Sequence, residues 1–431
     1  MCGQDTGSED HAAVPLDNDP NADEAFPWDT GRVVDAHCHP TDTMASLAAI
    51  PGMGAAALTV MSTRAQDQDL VAALGKDDPK TVPAFGWHPW FSYQLHDDSG
   101  EGKGGEDLTS LEDKRRHLAD VLVPKPSSLD EPASDKDKQL VAALDALAAS
   151  LPAIRPLSAF IVETRQRLQD HPGALVGEIG VDKAFRVPEP ATEDKASAAA
   201  SSATSELGLT PGGREGRRLS PFRVQPAHQT AVLAAQLKLA AELQRPVSVH
   251  GVQAHGLLFS ALAATWKEQE KKLLSHRQRH QIAGIEGLDD ETSDSEDEQG
   301  AHDAPKRAKT YPPAICLHSF SGPVDMLQQY LHPAIPAAIY FSFSTAVNCS
   351  TANGCARTAE VVAACPDDRL LVESDLHVAG AAMDAALKDM YRRVCAIKKW
   401  TLAEGVAQIG RNYDAFIQKT RPKGGYETKL T

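Results

Sequence analysis

The chain has 431 residues, 42% of them hydrophobic and 24% charged, enough to bury a large core in one or two domains. Lys plus Arg number 43 against 59 Asp plus Glu, and the net charge of −16 excludes a broad basic face that wraps nucleic acid by counterion release. The seven cysteines show no paired spacing and no apolar run reaches roughly 18 residues, so neither a disulfide scaffold nor a transmembrane helix is expected.

In chain order, Met1 to Pro27 is acidic and poor in large apolar residues, unlike a secretory signal or a mitochondrial leader. Residues 1–30 are expected to be a flexible acidic segment, and the protein is expected in the cytoplasm, the nucleus or both. Eight candidate strands follow: Arg32 to Ala36, Ala55 to Met61, Thr81 to Gly86, Ala174 to Ile179, Pro246 to Val249, Ala314 to Leu317, Ala338 to Phe343 and Arg369 to Glu373. Most are continuous apolar runs, as expected of parallel strands covered on both faces, and eight such strands close a TIM-type (β/α)8 barrel. Helical periodicity predicts helices over Lys136 to Ala149 and Gln229 to Leu243, and two terminal helices within Met383 to Gln418.

The barrel domain is expected to span 31–418, distorted by two long insertions, with 419–431 as a tail. Residues 183–224 are small, polar and rich in turn formers, which predicts a flexible loop that rejoins the core near Pro221 and Phe222. Residues 268–310 begin as a charged helical pattern and pass into Glu286 to Glu298, which holds eight acids and no base; this part is expected to be disordered. The acidic insertion could touch a protein partner, and PKRAK at Pro305 to Lys309 is either a nuclear import patch or an ordinary basic cluster.

The chemistry lies at the ends of the apolar runs. His37 and His39 stand two apart, so an extended backbone turns both imidazoles toward one ion. Glu178 sits in an apolar stretch where a carboxylate is costly unless paired or metal-bound, and its two oxygens can bridge two cations. His250 and His318 end two later strands on the edge where barrel active sites assemble, and Asp375 lies just past the last. Six oxygen and nitrogen ligands, one shared, are what a two-cation hydrolytic centre needs.

Taken in order, DAHCHP, GWHPW, GEIGVD, VSVHG, CLHSFSG and ESD resemble the signatures of the TatD family of metal-dependent nucleases, among the amidohydrolase-like barrels. The resemblance runs from Arg32 to Phe416 apart from the insertions. It implies a phosphodiesterase with two divalent ions (Mg, Mn or Zn), His37, His39, Glu178 and Asp375 around one and Glu178, His250 and His318 around the other. His88 and Glu373 are implied to be supporting or phosphate-facing groups. The chain departs from the family pattern where Lys183 opens a long insertion, where His250 is followed by Gly251-Val252, and where Asp375 is followed by Leu376-His377.

The expected reaction is attack of an activated water on a phosphodiester, with Asp375 steering its proton and Glu178 holding the ions in register. Phosphate contacts are expected from His88, Lys183 and the amides around Gly251 and Gly322. Trp87 and Trp90 either stack on a terminal base, favouring single-stranded DNA or exposed ends, or close the rim of the barrel. Two other readings stay open: hydrolysis of a cyclic amide or lactone, and a scaffold protein on a residual metal barrel. The oligomeric state is not legible.

Overall fold

The computed structural model describes residues 20–100, 105–190, 208–210, 217–272 and 308–418. Its centre is one eight-stranded parallel sheet: β1 (Val34–Cys38), β2 (Ala57–Met61), β3 (Thr81–Phe85), β4 (Leu175–Asp182), β5 (Val247–Val252), β6 (Ala314–Leu317), β7 (Ala338–Phe343) and β8 (Leu370–Val372), neighbours in that order. All residues of β1, β4, β6 and β8 are buried. That is the pattern of strands packed on both faces, and it explains why they read as unbroken apolar runs.

Ten α-helices of seven residues or more surround the sheet among the described residues: α1 (Gln68–Asp77), α2 (Leu111–Val121), α3 (Asp135–Ser150), α4 (Leu157–Asp170), α5 (Pro226–Glu242), α6 (His255–Trp266), α7 (Val324–Tyr330), α8 (Ala352–Ala364), α9 (Ala381–Lys398) and α10 (Leu402–Gln418). Several starts are legible locally. Ser110, Ser134 and Thr351 each accept a backbone N–H three residues on, and Pro226 opens α5, where its missing N–H costs nothing. The chain is thus an α/β barrel of the TIM type.

The ring is joined between β8 and β1 by a clasp rather than by a ladder. Asp375 N donates to His37 O at 3.0 Å and His39 N to Leu376 O at 2.8 Å. Asp35, fully buried, accepts from Ser374 N at 3.0 Å, Ser374 Oγ at 2.5 Å and His37 N at 3.1 Å. Burial pushes its carboxyl up to about 7, and the Ser374 hydrogen bonds pull against that rise.

Two expectations are corrected. β4 and β5 run past Ile179 and Val249, because their ladder continues through Gly180–His250, Val181–Gly251 and Asp182–Val252; Glu178 and His250 therefore lie within strands rather than at their ends. The insertion after β4 is not a loop throughout. Residues 187–189 and 218–222 pair antiparallel, with Val187 N to Phe222 O, Ser220 N to Val187 O and Glu189 N to Arg218 O at 2.7 to 2.9 Å. Buried Val187, Phe222 and Val224 pack this stem onto α2 and α3, and the apolar area they remove from water stabilises it there. Residues 191–207, 211–216 and 273–307 lie outside the described residues, as do 1–19 and 419–431, so the acidic insertion, most of PKRAK and the first part of the expected N-terminal segment fall there. Residues 20–30 of that segment are instead tied to the body, with Asn21 Nδ2 donating to Trp400 O at 3.3 Å and Phe26 edge-on to Tyr391.

Candidate metal centre

Five strands deliver the donor side chains to one end of the barrel. Register shifts interrupt the β1–β2 ladder between Asp35 and Cys38 and the β4–β5 ladder between Val176 and Ile179, and such bulges re-aim the side chains they contain, here His37 and Glu178. Gly180 is required two residues on: a Cβ there would stand 2.0 Å from His250 O. Asp375 and Ser319 take positive φ values of 55° and 41°, a strained backbone for non-glycine residues that places both at the centre.

Glu178 organises the rest. Its Oε2 lies 3.4 Å from both His37 Nε2 and His39 Nε2, which in turn lie 3.8 and 3.5 Å from Asp375 Oδ1. Donors held about 2.1 Å from a tetrahedral zinc-like ion stand about 3.4 Å apart, so these spacings fit such an ion. Its Oε1 faces a second set, His318 Nε2 at 2.6 Å and His250 Nδ1 at 2.8 Å, themselves 3.1 Å apart. The carboxylate thus turns one oxygen to each histidine pair. His318 also stacks on His37 at 3.8 Å and 4°, and it groups with His37 and Asp375 as well as with His250, so the two donor sets share an edge.

A layer of hydrogen bonds fixes these rings. Ser248 Oγ lies 2.9 Å from His37 Nδ1, which leaves Nε2 for a ligand role. Asp182 Oδ2 lies 3.2 Å from His250 Nε2 and accepts from Trp90 Nε1 at 2.6 Å. His88 Nδ1 accepts from Trp90 N at 3.1 Å, so in the neutral ring Nε2 carries the hydrogen and donates to Glu178 Oε1 at 3.0 Å. His88 therefore supports the Glu178 carboxylate.

The charges suit a cation. Burial opposes ionisation of Glu178, yet His88, His318 and His37 hold its carboxyl well below the usual range. Burial opposes Asp375 too, but the His39 hydrogen bond brings it to about 2. Burial lowers His37, and takes His88 to about 4, leaving both rings neutral near pH 7. For His39 and His250 burial is outweighed by hydrogen bonds to Asp375 and to Asp182 respectively, raising each to about 9. A divalent ion and those protons compete for the same lone pairs, and the ionised carboxylates favour whichever cation is present.

Other residues singled out from the sequence are placed differently. Trp87 is 1% exposed, donates Nε1 to Phe91 O at 2.8 Å and packs edge-on to Phe160, so it has no face for a base. One face of Trp90 is covered by Phe185 at 4.5 Å and 9°. Glu373 is fully buried and accepts from Ser319 N, Ser319 Oγ and Ser342 Oγ; it stands 3.6 Å behind His318 Nδ1, where it supports that ring. Gly322 is buried where a Cβ would meet the Phe320 ring at 2.6 Å, and Gly251 is registered opposite Val181 in the ladder. Lys183 is exposed at the foot of the stem, its amide bonded to Val252 O. Asp182, Asp35 and Ser248 are the supporting residues that sequence reasoning passed over; all three lie inside the motifs GEIGVD, DAHCHP and VSVHG, where position alone does not reveal an orienting role.

A family model described as TatD related DNase matches residues 34–418. The chain belongs to the TatD family. Among its TatD-related neighbours, the Cut9-interacting protein scn1 of Schizosaccharomyces pombe is 35% identical over 397 residues, 90% of this chain and 99% of that protein. An "uncharacterized deoxyribonuclease", YMR262W of Saccharomyces cerevisiae, is 25% identical over 74% of this chain and 75% of its own. The crystal structure of a TatD homologue from Escherichia coli superposes with a TM-score of 0.47 at 16% identity, over 89% of this chain and 97% of that one. As a TatD-type hydrolase the chain carries a donor set of the kind that holds divalent metal. Among the described residues no helix is long and apolar enough to cross a membrane.

Proposed function

We propose that this protein is a metal-dependent phosphodiester hydrolase, a deoxyribonuclease acting on single-stranded DNA or exposed ends, with two divalent ions bridged by Glu178. The observation that carries the reading is the split of Glu178, Oε2 toward His37 and His39 and Oε1 toward His250 and His318. Bound there, Mg, Mn or Zn ions supply charge stabilisation at phosphoryl oxygens and a water of lowered pKa.

The protein's own groups do the rest. Asp375 is ionised and, at 15% side-chain exposure, more open than Glu178 at 3%, so it is the carboxylate that receives the proton of the attacking water. Glu178 keeps both histidine sets in register, with His88 donating to it. Asp182 and Ser248 fix the rings of His250 and His37. Lys183, exposed at the foot of the stem, and the backbone near Gly251 are the candidate phosphate contacts.

A protein-partner role for the chain has one specific support, the name of its S. pombe relative, a Cut9-interacting protein. It is compatible with hydrolysis. Incubation with a labelled single-stranded deoxyoligonucleotide, its duplex and a cyclic amide, each with Mg, Mn or Zn, tests the reading. Metal-dependent loss of the single strand is expected; turnover of the amide alone would overturn it.

A further inference from the structure

The antiparallel stem that leaves β4 is unlike the rest of this acidic chain. Residues 183–190 and 217–224 hold five cations, Lys183, Arg186, Arg217, Arg218 and Arg223, against one acid, Glu189, in a protein of net charge −16. The stem is a built element. Phe185, Val187, Phe222 and Val224 are at most 7% exposed, and its returning strand pairs with Leu122–Val123.

The guanidinium groups of Arg186 and Arg223 are held by backbone carbonyls. Arg186 donates to Ser220 O at 2.8 Å and to Leu219 O at 3.3 Å, and Arg223 to Ala184 O at 3.4 Å. Among the described residues neither has an acidic partner within ion-pair distance, and Arg218 and Lys183 are exposed. A guanidinium anchored to carbonyls keeps its full charge and further donors for a phosphate. Arg64, another cation near the site, differs: Asp42 at 2.9 Å and Asp67 at 3.3 Å neutralise it.

The root of the stem is tied to the metal centre. Asp182, which faces His250, accepts from Ala184 N and Phe185 N at 2.7 and 2.9 Å. Phe185 stacks on Trp90, which lies edge-on to His88 and His250. A chain of phosphates lying along the stem would therefore run toward the ligands.

We infer that this stem is a phosphate-tracking ridge that carries the backbone of a single-stranded polynucleotide to the metal centre. The inference rests on the polynucleotide reading above and assigns its binding surface. It also reconciles a strongly acidic protein with a polyanionic substrate, since the attraction is local.

The test compares the full-length protein with two triple variants, Arg186→Gln/Arg218→Gln/Arg223→Gln and the same three positions changed to Lys. A fluorescent single-stranded deoxyoligonucleotide is titrated by anisotropy across a salt series with metal chelated, and hydrolysis of a small chromogenic phosphodiester is followed with metal present. The Gln variant is expected to bind about ten-fold more weakly, with a log K against log salt slope shallower by about 2, three contacts at about 0.7 each. Its turnover of the small phosphodiester stays at the wild-type value, and the Lys variant keeps most of the affinity. Equal affinity of wild type and Gln variant, or an equal loss in both variants, would overturn the ridge. Binding that behaves as expected with no turnover of either substrate by the wild type supports the ridge and sinks the hydrolase reading instead.

Discussion

Asp182 illustrates how much of the centre depends on side chains that touch no substrate. It bonds the far nitrogen of His250, the Trp90 indole and two backbone amides of the stem at once. Asp182→Asn keeps the shape and removes the charge that orients the imidazole. Metal affinity, read by calorimetric titration, should fall about 10- to 100-fold; an unchanged affinity would show that Asp182 only caps the stem. At this scale the candidate ligands were more legible in the sequence than their supports. His37, His39, Glu178, His250, His318 and Asp375 follow apolar runs in a pattern few structural residues share. Asp182 and Asp35 show their purpose only through partners 68 and 339 residues away. Trp87 misled because its neighbour His88 points to Glu178 while its own ring turns into the core.

The strands are where the elements were most legible. β6 and β7 begin and end where the apolar runs predict, and the others differ by a few residues because ladder bonds, not hydrophobicity, set the ends. The antiparallel stem was hidden because its halves are polar, proline-bearing and separated by residues 191–216, so local pattern does not announce the pairing. β4 and β5 make the tightest demand: with Gly180 facing His250 O, the two strands meet at a spacing no side chain tolerates. Gly180→Ala should cost at least about 1–3 kcal/mol in urea unfolding, as other overpacked sites do, and should weaken metal binding with it. Wild-type stability together with wild-type metal content would mean the two strands separate freely.

At the scale of the whole molecule, a barrel closed by Asp35 and Ser374 brings together residues from opposite ends of the chain. His37 and Asp375 are 338 positions apart, yet Asp375 N reaches His37 O and their side chains flank the same space. The fold class was legible because eight apolar runs of strand length admit few closed arrangements. The helices α2, α3 and α4 between β3 and β4 were less so, since a connection that long can fold in many ways and α2 and α4 are dominated by polar and charged residues, whereas α3 is richer in Leu and Ala. What the barrel achieves is convergence, and convergence on a pair of ions is the central claim. Its most direct test is metal content per chain by mass spectrometry of inductively coupled plasma, measured with cleavage of single-stranded DNA in the wild type and in Glu178→Ala. The account predicts two divalent ions per wild-type chain, and loss of metal and cleavage together in the variant. A single ion in the wild type, or undiminished cleavage without the Glu178 carboxylate, would contradict it.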